Sequence, residues 1–234
     1  MLAVLVFSRC QPAPKPHCQA VIVLDKTNSV SYAKRWPLLR QEITEDFVRT
    51  YFTAIENIQC SRLIITGNTR FSPEVSRFDE VRPNAEGRSG EEDLEKWEED
   101  KQDWIDREAN RVDSLVSVRC TSNTTDIFSI FSGIQQVQRT NGSWDSVKVF
   151  IFSDMVNTAG PDNMNRMPLD SANAMGREVC KRLIRQGQIT AGNTENIYLT
   201  IYTPDTMDHP ALVNLFWKGF FAEWGLSEKH YHFE

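Results

Sequence analysis

The stretch that most constrains this chain is Val21-Ile22-Val23-Leu24-Asp25-Lys26-Thr27-Asn28-Ser29. An aliphatic run with no polar alternation reads as a strand buried on both faces, the habit of a parallel sheet. The run stops at a carboxylate, Asp25, and hydroxyls follow two and four residues later at Thr27 and Ser29. Open α/β sheets bind ligands outside the carboxyl ends of their strands, which is where Asp25 falls. One carboxylate and two short hydroxyls on one loop are hard oxygen donors, and these suit Mg²⁺ or Mn²⁺.

The rest of the chain alternates strands with helices. A strand is expected over 20–24. Pro37 suits a first helical turn, and apolar residues from Leu38 to Ile55 at three and four spacing extend that helix to about Glu56. A second buried strand is expected over 62–66, closed by Gly67-Asn68, and a short edge strand over 74–81. From Glu91 an acidic stretch carries Leu94, Trp97, Trp104, Ile105, Val112, Leu115 and Val116 on one helical face, interrupted by Lys101 and Glu108. It reads as one long helix or two consecutive ones, inserted around 91–118. The two Trp residues fit core packing better than a partner-binding face. Further helices are expected over 126–139, 172–186 and 211–224, and strands over 147–153 and 197–202. A long irregular loop is expected over 155–169. The alternation predicts an α/β fold: a doubly wound, mostly parallel central sheet flanked by helices, with right-handed crossovers.

The 234 residues suffice for one α/β domain with a substantial core. Residues 19–234 read as that domain and 1–18 as an N-terminal tail. A net charge of −6 argues against wholesale nucleic-acid binding. No apolar run approaches the roughly 20 residues of a membrane-spanning helix. Met1 to Phe7 is apolar but short and lacks a preceding Lys or Arg. Two readings stand: the tail of a secretion or lipoprotein signal ending near Cys10, followed by a Pro-rich tether, or a disordered N-terminal tail or extra edge strand. Arg9 argues against lipoprotein processing, so export is the weaker reading and a cytoplasmic protein the alternative. Of five cysteines none shows CxxC spacing, so zinc is not indicated. Cys18 and Cys60 stand equally far ahead of two strand ends. That spacing suits a disulfide in an exported protein, or simply two ordinary thiols at strand entrances.

Two more strand-end loops carry oxygen donors. One holds Thr125, directly before Asp126 and a helix; the other holds Asp154 in Phe150-Ile151-Phe152-Ser153-Asp154-Met155. The set resembles the von Willebrand factor A domain and its metal-ion-dependent adhesion site, with the Rossmann-like architecture that family has. Asp25-Lys26-Thr27-Asn28-Ser29 is similar to the family's Asp-x-Ser-x-Ser, with Thr27 keeping the hydroxyl. Thr125-Asp126-Ile127 is similar to Thr-Asp-Leu, and Ser153-Asp154-Met155 to Ser-Asp-Gly. The resemblance covers about residues 20–225. It implies that Thr27 and Ser29 ligate the cation directly, and that Asp25 and Asp154 neutralise it and hold its waters. Thr125 would alternate between direct and water-mediated contact. It also implies a non-enzymatic module whose cation, Mg²⁺ or else Mn²⁺ or Ca²⁺, engages a carboxylate of a partner protein. The loop over 155–169, with Asn157, Asp162, Asn163 and Asn165, would then edge the metal face and shape the partner surface.

Each residue also has a plainer role. Asp25 and Asp154 suit turns, Thr125 suits a helix N-cap, and Asp126 suits a first helical turn. A competing reading is a haloacid dehalogenase-class phosphatase with Asp25 as nucleophile, since Asp25-Lys26-Thr27 resembles the phosphorylated Asp-Lys-Thr of ion-pumping ATPases. Thr66 and Asp154 would take later roles in it. Thr27 removes the usual second Asp, the general acid, and no motif Lys or acidic pair completes that site. A third reading is a metal-free structural domain that keeps the fold. His230-Tyr231-His232 reads as a solvated C-terminus.

Overall fold

The computed structural model describes residues 18–25, 58–66, 70–77, 87–117, 125–140, 145–203 and 209–234. The expected helix over 37–56 and the tail over 1–17 lie outside the described residues.

Six strands form one sheet: β1 (Cys18–Asp25), β2 (Ile58–Thr66), β3 (Arg70–Arg77), β4 (Ser146–Phe152), β5 (Ile197–Tyr202) and β6 (Tyr231–Phe233). Their order is β3-β2-β1-β4-β5-β6. Every neighbouring pair is parallel except β2 with β3. The described helices are α1 (Arg88–Ser117), α2 (Ser129–Thr140), α3 (Ala172–Arg185) and α4 (Pro210–Trp224). This is the doubly wound, mostly parallel sheet that the alternation predicts.

All eight residues of β1 are buried. Because strand side chains alternate, they split between two cores. Val21 and Val23 join Val149, Ile151, Leu199 and Ile201 beneath α2, α3 and α4. Cys18, Ala20, Ile22 and Leu24 join Phe150 and Phe152 beneath α1. Trp97 and Trp104 are buried in this second core, as core packing requires. Lys101 and Glu108, which break the apolar pattern of α1, are buried too. The Lys101 ammonium lies 5.2 Å from the centre of the Trp97 ring, an attraction that offsets part of its desolvation. The Glu108 carboxylate lies 3.4 Å from the Arg111 guanidinium.

Several expectations shift: β2 begins at Ile58 rather than at 62, and α1 begins at Arg88 rather than at 91. The edge strand lies at Arg70–Arg77 rather than 74–81. It contains Pro73, which cannot donate to a ladder and is tolerated at an edge, and the pairing with β2 is irregular between Arg62 and Ile64. Helix α2 begins at Ser129 rather than at 126. The C-terminus, expected to be solvated, adds β6 beside β5; three residues are too few to show a period. Of the two readings of Cys18 and Cys60, the ordinary thiol is the one found at Cys18, which is free and buried; Cys60 pairs across the ladder with Gln19.

The thiols of Cys18 and Cys180 are both held protonated. Burial pushes the Cys18 thiol up, against a hydrogen bond with Ser146 and the charge of Lys148. Burial, aided by the Glu223 carboxylate, pushes Cys180 up to about 12. Since the thiolate is the reactive form, neither is alkylated by iodoacetamide in the native protein at pH 8. Both react once the chain is unfolded, and peptide mapping by mass spectrometry reads the difference. Labelling of native Cys180 at the rate of a free thiol contradicts its placement.

Helices α3 and α4 approach through two glycines. A Cβ on Gly176 would collide with the carbonyl oxygen of Phe216, and one on Gly219 with that of Asn173. Alanine normally favours a helix by about 1 kcal/mol over glycine. Here overpacking reverses the sign: Gly219→Ala costs about 1–3 kcal/mol, measured as a lowered urea midpoint. A gain in stability would mean that the helices do not meet backbone to backbone.

Candidate functional site

The carboxyl ends of β1 and β4 lie side by side, because Leu24 pairs with Phe152 in the parallel ladder. The next residues, Asp25 and Ser153, are therefore neighbours. Asp25 has no solvent exposure. The Ser153 hydroxyl donates to Asp25 Oδ2 at 2.6 Å. The Met155 N–H in turn donates to Ser153 Oγ at 2.9 Å. Asp154 is buried, and its Oδ1 accepts the Val156 N–H at 3.0 Å, the local turn bond that Asp favours. On the other flank of β1, the ladder partner of Asp25 is Thr66, the last residue of β2.

The third loop is stitched to this pair through its backbone. The Thr125 N–H donates to Thr158 Oγ1 at 2.8 Å. The Thr125 carbonyl accepts from the N–H groups of Thr158 (3.1 Å) and Ala159 (3.2 Å). Asn157 Oδ1 accepts the Ile127 N–H at 3.4 Å. The Asn157 amide donates to the carbonyls of Ala159 at 2.8 Å and Asp162 at 3.1 Å. Thr125 is buried, whereas Asp126 is exposed and caps the first turn of α2 by accepting the Ser129 N–H at 3.3 Å. The structure thus separates two adjacent residues, one capping the helix and one turned into the protein.

Hydrogen bonds accordingly connect Asp25 at the end of β1, the turn after β4 that holds Asp154, and Thr125, which lies between α1 and α2 in the chain and not, as expected, on a loop that closes one of the described strands. Thr27 and Ser29, the other two expected ligands, lie outside the described residues. Among the described residues no group of three or more His, Cys, Asp or Glu side chains is arranged to hold a metal. Two carboxylates and a hydroxyl are not a closed cage. Carboxylates and hydroxyls are the hard oxygen donors that Mg²⁺ takes.

Sequence reading missed the parts that hold the loops. Ser153, visible only as a neighbour of Asp154, reaches across the sheet to Asp25. Asn157, expected to edge the surface, is buried and joins the turn after β4 to the start of α2. Asp162 is half-buried and pairs with Arg182 of α3. Asn163 accepts the Asn165 N–H at 3.0 Å, while Asn165 itself is exposed. Only part of the 155–169 loop therefore faces solvent. Met155 has φ 56°, a left-handed conformation rare for a side chain of this kind. It stands where the resembled motif has glycine, which adopts that conformation without strain. Burial of the Met155 side chain in the core and a 2.9 Å bond from Trp217 Nε1 to its carbonyl hold it there.

No protein-family profile matches the chain, and no curated protein is similar to it in sequence. Solved structures bearing a distant likeness include the manganese-loaded TRAP protein of Plasmodium vivax, with TM-score 0.43 and 10% identity over 94% of this chain and 68% of that one. The human COPII-coat protein Sec24c gives TM-score 0.43 and 11% identity, covering 87% of this chain and 28% of that one. Proximal thread matrix protein 1 from the mussel byssus gives TM-score 0.38 and 11% identity, covering 88% and 47%.

Asn157→Ala strands a buried N–H and two carbonyls, so it destabilises by about 2–3 kcal/mol, read as a lower urea midpoint. Asn165→Ala, on the exposed part of the same loop, stays within about 0.5 kcal/mol of wild type. Equal effects at the two positions would overturn this division of the loop.

Proposed function

We propose that this chain is a non-enzymatic protein-binding module of the von Willebrand factor A type. A divalent cation at the carboxyl ends of β1 and β4 would engage a carboxylate of its partner. The observation that carries the reading is the union of three chain segments beside the carboxyl ends of β1 and β4, with Asp25 wholly buried, Ser153 bonded to it, and the Thr125 backbone tied to the turn after β4. One such loop is an ordinary turn; three joined by hydrogen bonds form a preorganised donor set.

When bound, the cation supplies an electrophilic centre with a position open to a partner's oxygen. Asp25 and Asp154 would balance its charge and orient its waters. The resemblance gives Thr27 and Ser29 as direct ligands, with Thr125 reaching the ion directly or through water. Mg²⁺ is the first candidate, with Mn²⁺ and Ca²⁺ as alternatives. The exposed part of the loop after β4 (Gly160, Pro161, Asn165 and Arg166) borders these residues in sequence and would meet the partner.

One register favours a second reading. Asp25 pairs with Thr66 in the ladder and Asp154 follows the neighbouring β4, residues a haloacid dehalogenase-class phosphatase would also use, with Asp25 as nucleophile. That reading gives no work to Thr125.

Isothermal titration of chelator-treated protein with Mg²⁺ and Mn²⁺ tests the proposal. Wild type binds one equivalent, and Asp25→Ala abolishes binding while retaining a cooperative melt. A folded wild type that binds neither ion overturns it in favour of a metal-free scaffold. Hydrolysis of p-nitrophenyl phosphate, lost in Asp25→Ala, would establish the second reading instead.

A further inference from the structure

We infer that Ser153 is a positioning residue for the proposed cation site, setting which oxygen of Asp25 faces the ion; this rests on the metal-binding reading above. A serine hydroxyl has one hydrogen to donate and lone pairs to accept with. The Met155 N–H occupies an acceptor position on Ser153 Oγ at 2.9 Å, and the hydroxyl hydrogen goes to Asp25 Oδ2 at 2.6 Å. The donor of this relay is a main-chain amide whose place is set by neighbours, not by rotamer choice. The Met155 carbonyl is held by Trp217 Nε1, and its side chain is buried in the core. Oδ2 of Asp25 is thereby bonded from the β4 side, which fixes the rotation of the carboxylate about its terminal bond. That torsion is intrinsically broad, with no sharp staggered wells. A donor from a neighbouring strand narrows it.

Small cations with strict geometry are sensitive to this kind of constraint. Mg²⁺ demands near-octahedral placement of its ligands and waters, and residues that orient the ligands typically contribute 10–100-fold in affinity. Ser153 would act through Asp25 without touching the ion. It is also more than the residue that happens to precede Asp154, the role the sequence pattern suggests for it.

The test uses the full chain and Mn²⁺ alone as the probe, with affinity read by calorimetry and ion symmetry by electron paramagnetic resonance. Ser153→Ala is expected to weaken Mn²⁺ binding 10–100-fold and to broaden the resonance of what remains bound. Ser153→Thr restores the hydroxyl and returns affinity to within a few-fold of wild type. A merely structural serine would lower the melting temperature in the alanine variant but leave the affinity of the folded fraction unchanged, and that result overturns the inference. So does an equal loss in Ser153→Ala and Ser153→Thr. If Ser153→Ala does not fold, Ser153→Cys takes its place: its weaker donor gives an intermediate affinity, and wild-type affinity there rejects the role. Absence of Mn²⁺ binding in wild type is a different outcome, overturning the metal-binding reading and this inference with it.

Discussion

The two-sided burial of β1 is the constraint on which the rest depends. All its eight residues are shielded from solvent, so each face must be covered by helices and each edge by another strand. A strand so enclosed has no surface at which to keep a polar group except its ends. Asp25 is therefore at the carboxyl end, where the ladder stops and side chains from the next strand can reach it. The position of the candidate site follows from the sheet's need to be dry.

The two cores that meet across the sheet differ in character. Beneath α2, α3 and α4 the packing is aromatic, with Phe131 ringed by Trp217 at 5.4 Å, Phe220 at 5.2 Å and Trp224 at 5.2 Å. Rings at these separations gain beyond their buried area and make a stiff support for the turn after β4, whose Met155 carbonyl is bonded by one of them. Beneath α1 the core includes the stem of Lys101 and the side chain of Glu108, so it tolerates charge where partners are at hand. The stiff side is the one on which the Thr125 and Asp154 loops rest. That matches what a preorganised donor set needs, since ligand groups hold their geometry only as well as their supports do.

Legibility in the sequence followed the length of the signal. The strand at Ile197–Tyr202 and helices α3 and α4 were readable to within about one residue, and the apolar run of β1 to within two, because long periods average out local exceptions. The edge strand shifted because Pro73 and a ladder irregularity broke its alternation. The C-terminal strand was invisible because three residues carry no period. The adjacent Thr125 and Asp126 show the limit most clearly. Either suits an N-cap, and only the Ser129 N–H, reaching Asp126 and not Thr125, divides the roles.

The sequence by itself determined the α/β class, the two-faced burial of the central strand, and the presence of Asp25, Thr125 and Asp154 at element boundaries. These depend on local composition and period, which a linear chain carries in full. Only the tertiary structure decided that Ser153 bonds Asp25, that Asn157 joins two loops from within, that Cys18 is a free thiol and that Gly176 and Gly219 let two helices touch. Each depends on register or on the approach of segments far apart in the chain. A one-residue change of register turns a side chain to the other face of a sheet, and no local pattern records which register the fold will choose.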